Sequence, residues 1–218
     1  MAKKPVTPGP RVVLLHGLWM GRWAMWPLAH RLRRAGFHPV HFGYPSRARP
    51  ADNAERLARW LADQPDPPLH FLAHSLGGLV LAHLFARHPE ARSPATRVVL
   101  LGSPLAGSGV ARRLGKTRVG RWLLDGSLVD GLAGDPPDWT APNTLMLAGD
   151  RPIGPGRLLP GELDIPNDGT VAVAETRVER LAAHRRVPVN HFALLWSGQV
   201  AQLAIDHLSV TDAAATDR

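Results

Sequence analysis

The chain has 218 residues, 44% hydrophobic and 20% charged, which suits one globular domain with a sizeable core. It contains no cysteine, so disulfides and cysteine-based zinc sites are excluded. The formal charge of +8 comes mostly from arginines spread along stretches such as "HRLRRAG" and "RVERLAAHRR". Without interleaved aromatics these read as solvated faces, so no nucleic-acid partner is expected.

In chain order, residues 1–10 read as a flexible start. No leader is recognised there, and no window reaches the roughly 18 apolar residues of a membrane span. A cytoplasmic protein without stable membrane insertion is the expectation. Strands are predicted at 11–17, 39–44, 69–75, 97–104, 143–150 and 185–189. Most are nearly continuous apolar runs, as expected for parallel strands covered on both faces. Helices are predicted at 22–35, 52–64, 76–88, 169–184 and about 193–208, and residues 209–218 read as a disordered tail.

This alternation predicts an α/β doubly wound, mostly parallel sheet over 11–208, with function gathered beyond the carboxyl ends of the strands. His16, Ser75, Ser103 and Asp150 fall there. Two segments break the rhythm. The Gly-rich, basic stretch 105–142 reads as a small cap or a plain surface connection, and 151–167, rich in Pro and Gly, reads as an inserted loop.

The stretch "FLAHSLGGLVL" puts Ser75 between a strand and a helix. A tight strand–turn–helix elbow exposes a nucleophilic hydroxyl and requires small side chains two residues on either side, here Ala73 and Gly77. The competing reading is a serine that caps the 76–88 helix. His74 reads as a packing or hydrogen-bonding neighbour. The helix N-terminus aims the Leu76 amide at the reacting centre. The His16-Gly17 turn brings the Leu18 amide to the same edge as a second oxyanion donor, with His16 as a buttress. His191 follows the last strand, in the right order for a general base. Asp150, ending a strand, and Asp168, opening "DGTV", both qualify by position as the acid that orients it.

Serine, acid and histidine in this order resemble the α/β-hydrolase superfamily, and small bacterial lipases and carboxylesterases within it. "HGLW", "AHSLGG", "GSPLAGS", "NDGTV" and "NHFALLWSGQV" carry the likeness across residues 11–200. The resemblance implies Asp168 as the acid, with a helix and a strand between it and His191, and leaves Asp150 as the alternative because of the 151–167 insertion. It implies a serine hydrolase of carboxylic esters, with a small-molecule ester as partner, Ser75 as nucleophile and no cofactor; no carboxylate cluster compels a metal. Trp19, Trp23 and Leu105 are candidate pocket residues beside Leu18. The alternatives are an acyltransferase or thioesterase, with Arg112, Arg113, Lys116 and Arg118 meeting a phosphate, and a non-catalytic binding protein of the same fold.

Overall fold

The computed structural model describes residues 9–64, 69–133, 137, 139, 141–154, 163–179 and 181–210. The expected flexible start and tail, and much of the 151–167 loop, lie outside them.

Six strands form one parallel sheet in the order β2-β1-β3-β4-β5-β6. They are β1 (Arg11–Leu15), β2 (His38–Phe42), β3 (Leu69–His74), β4 (Val98–Leu101), β5 (Ala141–Gly149) and β6 (Leu181–Val187). The helices are α1 (Trp26–Arg34), α2 (Pro50–Ala62), α3 (Leu76–Arg87), α4 (Gly109–Leu114), α5 (Arg118–Leu124) and α6 (Gly198–Leu208).

The apolar runs have a direct physical meaning. Side chains alternate across a strand, so both alternating sets must be apolar where both faces are covered. Val13, Leu15, Phe71, Ala73 and Leu100 face one core, where α2 and α3 supply Leu57, Leu79 and Leu84. Val12, Leu14, Leu72, Val99 and Leu101 face the other, against Leu28 and Leu32 of α1 and Val200 and Leu208 of α6. The chain runs outward from β1 to β2, then crosses back to β3. The strand order therefore reverses beside β1 and β3, where open α/β sheets form ligand crevices.

Most predicted elements fall within a few residues of the observed ones. The helix expected at 169–184 does not form: a 3-10 turn occupies Ala174–Thr176, and β6 begins at Leu181. Asp168 caps the amides of Thr170 and Val171 as a helix start would. However, the Val173 amide then turns back to the Pro166 carbonyl and the Glu175 side chain takes the Ala172 amide. The rest pairs with the open edge of β5, which satisfies its backbone with Ala183 and Val187 facing the core. Its exposed Arg185 and Arg186 suit an edge strand. The final helix is also divided. Ser197 accepts from the Val200 amide and starts α6, after a 3-10 turn at Ala193–Leu195.

A buried histidine ties the sheet to solution pH. The Arg97 amide donates to Nδ1 of His70 at 3.1 Å, which requires a neutral ring. Burial, then the Arg97 charge, push the His70 pKa down to about 4, against about 6.5 in an unfolded chain. The unfolded chain therefore takes up the proton first, so this contribution is complete above about pH 6.5 and is lost as pH falls toward 4. We expect the thermal midpoint to fall across that window, and less steeply in His70→Gln, whose amide oxygen retains the bond. Equal slopes in thermal melts of the two proteins would assign the acid sensitivity to other groups.

Candidate active site

Ser75 stands between the end of β3 and the start of α3 with φ 52° and ψ −119°. This is costly backbone for a residue with a Cβ, and it persists only where neighbours over-determine it. The Ser75 amide donates to the Leu101 carbonyl of β4 at 2.9 Å, and its own carbonyl accepts from the Gly78 amide at 3.0 Å. Crowding explains the small residues of the elbow. A Cβ at Gly77 would sit 3.0 Å from the backbone oxygens of Leu15 and His16, and one at Gly78 would overlap the Ser103 hydroxyl. Leu76 is the first residue of α3, so no carbonyl of its own helix engages its amide.

The His16–Met20 loop approaches from β1. His16 is buried, stacks on Tyr44 with centroids 4.3 Å apart, and places Nδ1 3.0 Å from the Gly17 carbonyl. Burial pushes its pKa down. The Tyr44 hydroxyl donates to the His16 carbonyl. Trp19 has φ 56° and is held at both ends: its amide donates to the Ser46 hydroxyl, and its indole nitrogen to the Leu123 carbonyl of α5. Those bonds fix the loop that carries Leu18.

His191 and Asp168 meet in the interior. Nδ1 of His191 donates to Oδ2 of Asp168 at 2.6 Å, and both side chains are almost wholly buried. The other oxygen, Oδ1, accepts from the Thr170 and Val171 amides at 3.0 and 2.7 Å. The His191 amide in turn donates to the Asp168 carbonyl at 2.9 Å. The carboxylate thus has partners for both oxygens and is fixed in rotation. His74 packs against the His191 ring at 4.7 Å and donates from Nε2 to the His191 carbonyl at 3.1 Å. Burial, then the neighbouring His191 charge, hold its pKa well below the usual value.

Asp150 lies apart from this pair. Its carboxylate faces Arg186 at 3.9 Å and its amide donates to the Val187 carbonyl.

Ser75, His191, Leu18, Trp19 and Leu76 all line one cavity of about 280 Å³. Much of the remaining wall is apolar and comes from the 104–132 stretch, with Val110, Ala111 and Leu114 of α4 and Leu123 and Leu124 of α5, and Met20, Val171 and Phe192 complete it. Two candidate pocket residues lie elsewhere. Leu105 is fully buried in the core under α3, and Trp23 sits on a 3-10 turn with its ring in solvent.

Gly102 and Glu175 were given no role by the sequence reading. Gly102 has φ +55°, and a Cβ there would stand 3.1 Å from both Asp168 Oδ2 and His191 Nδ1. The signal was present: a glycine directly after a strand of "VVLL" marks a turn of this type. Glu175 accepts from the amides of Gly109 and Ala172, tying the start of α4 to the loop that holds Asp168. Burial raises its pKa. No local pattern signals that contact, because 66 positions separate the partners.

Comparison with solved structures finds the same fold in other proteins. The mature lipase BlEst2 of Bacillus licheniformis superposes with TM-score 0.75 at 18% identity, over 96% of this chain and 95% of that one. A metagenomic carboxyl esterase superposes with TM-score 0.62 at 19% identity, over 93% and 71%. The thioesterase domain NocB of a nocardicin cluster gives TM-score 0.61 at 19% identity, over 94% and 95%. These likenesses are of fold. The chain matches no curated protein sequence. Residues 12–214 match the profile of the alpha/beta hydrolase family, and with that match spanning the sheet, the elbow and the Asp168–His191 pair, the chain belongs to this family.

Proposed function

We propose that the protein is a serine hydrolase of carboxylic esters. The observation that carries this reading is the strained Ser75 opening onto the same apolar cavity as His191, whose far nitrogen is bound to a buried carboxylate. In the proposed reaction the Ser75 hydroxyl attacks the acyl carbon while His191 accepts the hydroxyl proton at Nε2. Asp168 holds the ring and stabilises its cation, and the amides of Leu18 and Leu76 receive the oxyanion. His191 then returns the proton to the leaving alkoxide. Water, activated by the same histidine, releases the acyl group.

Among the described residues, no Asp, Glu, Lys or Arg lines the cavity, which suits a neutral acyl chain. At roughly 30 Å³ per water-sized group, about 280 Å³ holds on the order of nine such groups. Acyl chains of short to medium length fit that space.

The test is hydrolysis of p-nitrophenyl esters from acetate to palmitate, with acyl-thioesters beside them. We expect a maximum between butyrate and octanoate and a fall toward palmitate. Ser75→Ala lowers kcat by about 10³-fold or more, and Asp168→Asn by about 10²- to 10⁴-fold. Asp150→Asn stays within about twofold of the parent, as expected for an exposed ion pair. Loss of activity in Asp150→Asn with retention in Asp168→Asn would move the acid. Turnover of thioesters alone would favour the thioesterase or acyltransferase reading.

Gly102→Ala pushes a methyl group against the Asp168–His191 contact. The contact must give by a few tenths of an ångström, which lowers kcat by about tenfold, with KM within about twofold. A lower thermal midpoint with unchanged kcat would give Gly102 a role in stability only.

A further inference from the structure

Tryptophan is large and is on average well buried, yet Trp19, Trp23, Trp26, Trp122 and Trp196 of this chain's seven are all more than half exposed. Two of them flank an open groove of about 700 Å³ between α1 and α6, with no lining residue shared with the catalytic cavity. Trp26 and Trp196 stand on its rims, Pro27 and Ile205 line it, and Arg31 and Arg34 project from α1. Arg31 donates to the Trp196 carbonyl at 3.2 Å, which holds the two rims together.

Among the described residues, the lining of this groove includes Arg31 and Arg34 and no Asp or Glu. Residues 1–51, which supply α1 and the preceding turn, contain no Asp or Glu, and neither do residues 181–205. Asp206, the next acid on α6, is engaged by the Gln202 amide at 2.8 Å. The apolar surface also runs on toward the active site. The turn that presents Trp196 begins at Phe192, which is exposed and lines the catalytic cavity together with Trp19.

Exposed indoles with an apolar body and a polar tip favour the headgroup boundary of a bilayer, and unpaired arginines add attraction to anionic lipid. We propose that the α1–α6 face docks on an anionic phospholipid surface, with Trp26 and Trp196 entering the interface and Arg34 meeting headgroup phosphates. The cavity mouth at Phe192 and Trp19 then lies at the margin of the docked face. A nucleic-acid strand is the less suitable partner, because the groove floor of Pro27, Ala201 and Ile205 offers apolar contact between the indoles.

The proposal does not depend on the esterase reading, since its test reads binding alone. The whole chain is sedimented with mixed phosphatidylcholine–phosphatidylglycerol vesicles, with pure phosphatidylcholine vesicles, and in parallel titrated with a single-stranded oligonucleotide. We expect sedimentation with the mixed vesicles, a blue shift of tryptophan emission on binding, and weakening by salt. Trp26→Ser/Trp196→Ser and Arg34→Glu each weaken binding by about tenfold or more, with thermal midpoints near the parent's because these side chains are exposed. Equal binding to neutral vesicles, parent-like binding by the variants, or binding to the oligonucleotide without binding to vesicles would each overturn the proposal.

Discussion

The backbone of Ser75 is the constraint around which the rest of the structure is arranged. A residue with a Cβ at φ 52° and ψ −119° is held there by the bond from its amide to Leu101 and by the start of α3, and every close neighbour must leave room for it. This requirement explains the glycines at 77 and 78. It also explains why β3 lies beside both β1 and β4, whose carboxyl ends supply the His16–Met20 loop and the Gly102 turn. The reversal of strand order at this point leaves a crevice above the serine. The segment after β4 fills it with apolar side chains.

Within that crevice polar groups are few, and the Asp168 carboxylate has partners for both of its oxygens. A carboxylate as buried as Asp168 is tolerable because two amides and an imidazole satisfy it. The same loop is reached by Glu175, which also holds the first residue of α4. The roof of the cavity and the support of His191 are therefore mechanically joined. In the proposed reaction this arrangement keeps the imidazole oriented while the apolar roof excludes water from the acyl chain.

Much of this was legible in the sequence, for identifiable reasons. Parallel strands covered on both faces announce themselves as unbroken apolar runs, and the elbow has a local spacing rule. The helix expected at 169–184 was misleading because "VAVAETRVERLAA" has apolar residues at spacings that fit a helix, while the outcome was decided by the open edge of β5. Asp150 and Asp168 could not be separated by position, since each lies near the end of an element. The distinction rests on contacts, Arg186 for one and His191 for the other, made between segments far apart in the chain. Glu175 is hidden for the same reason, whereas Gly102 carries a local signal, a glycine directly after a strand.

The central claim is that Ser75 is a nucleophile activated by His191. The most direct test is exposure to a fluorophosphonate, which reacts covalently with an activated serine hydroxyl, followed by mass spectrometry of the peptides. One adduct is expected, on Ser75, with labelling greatly slowed in a His191→Ala variant. An unlabelled chain, or an adduct on any other serine, would contradict it.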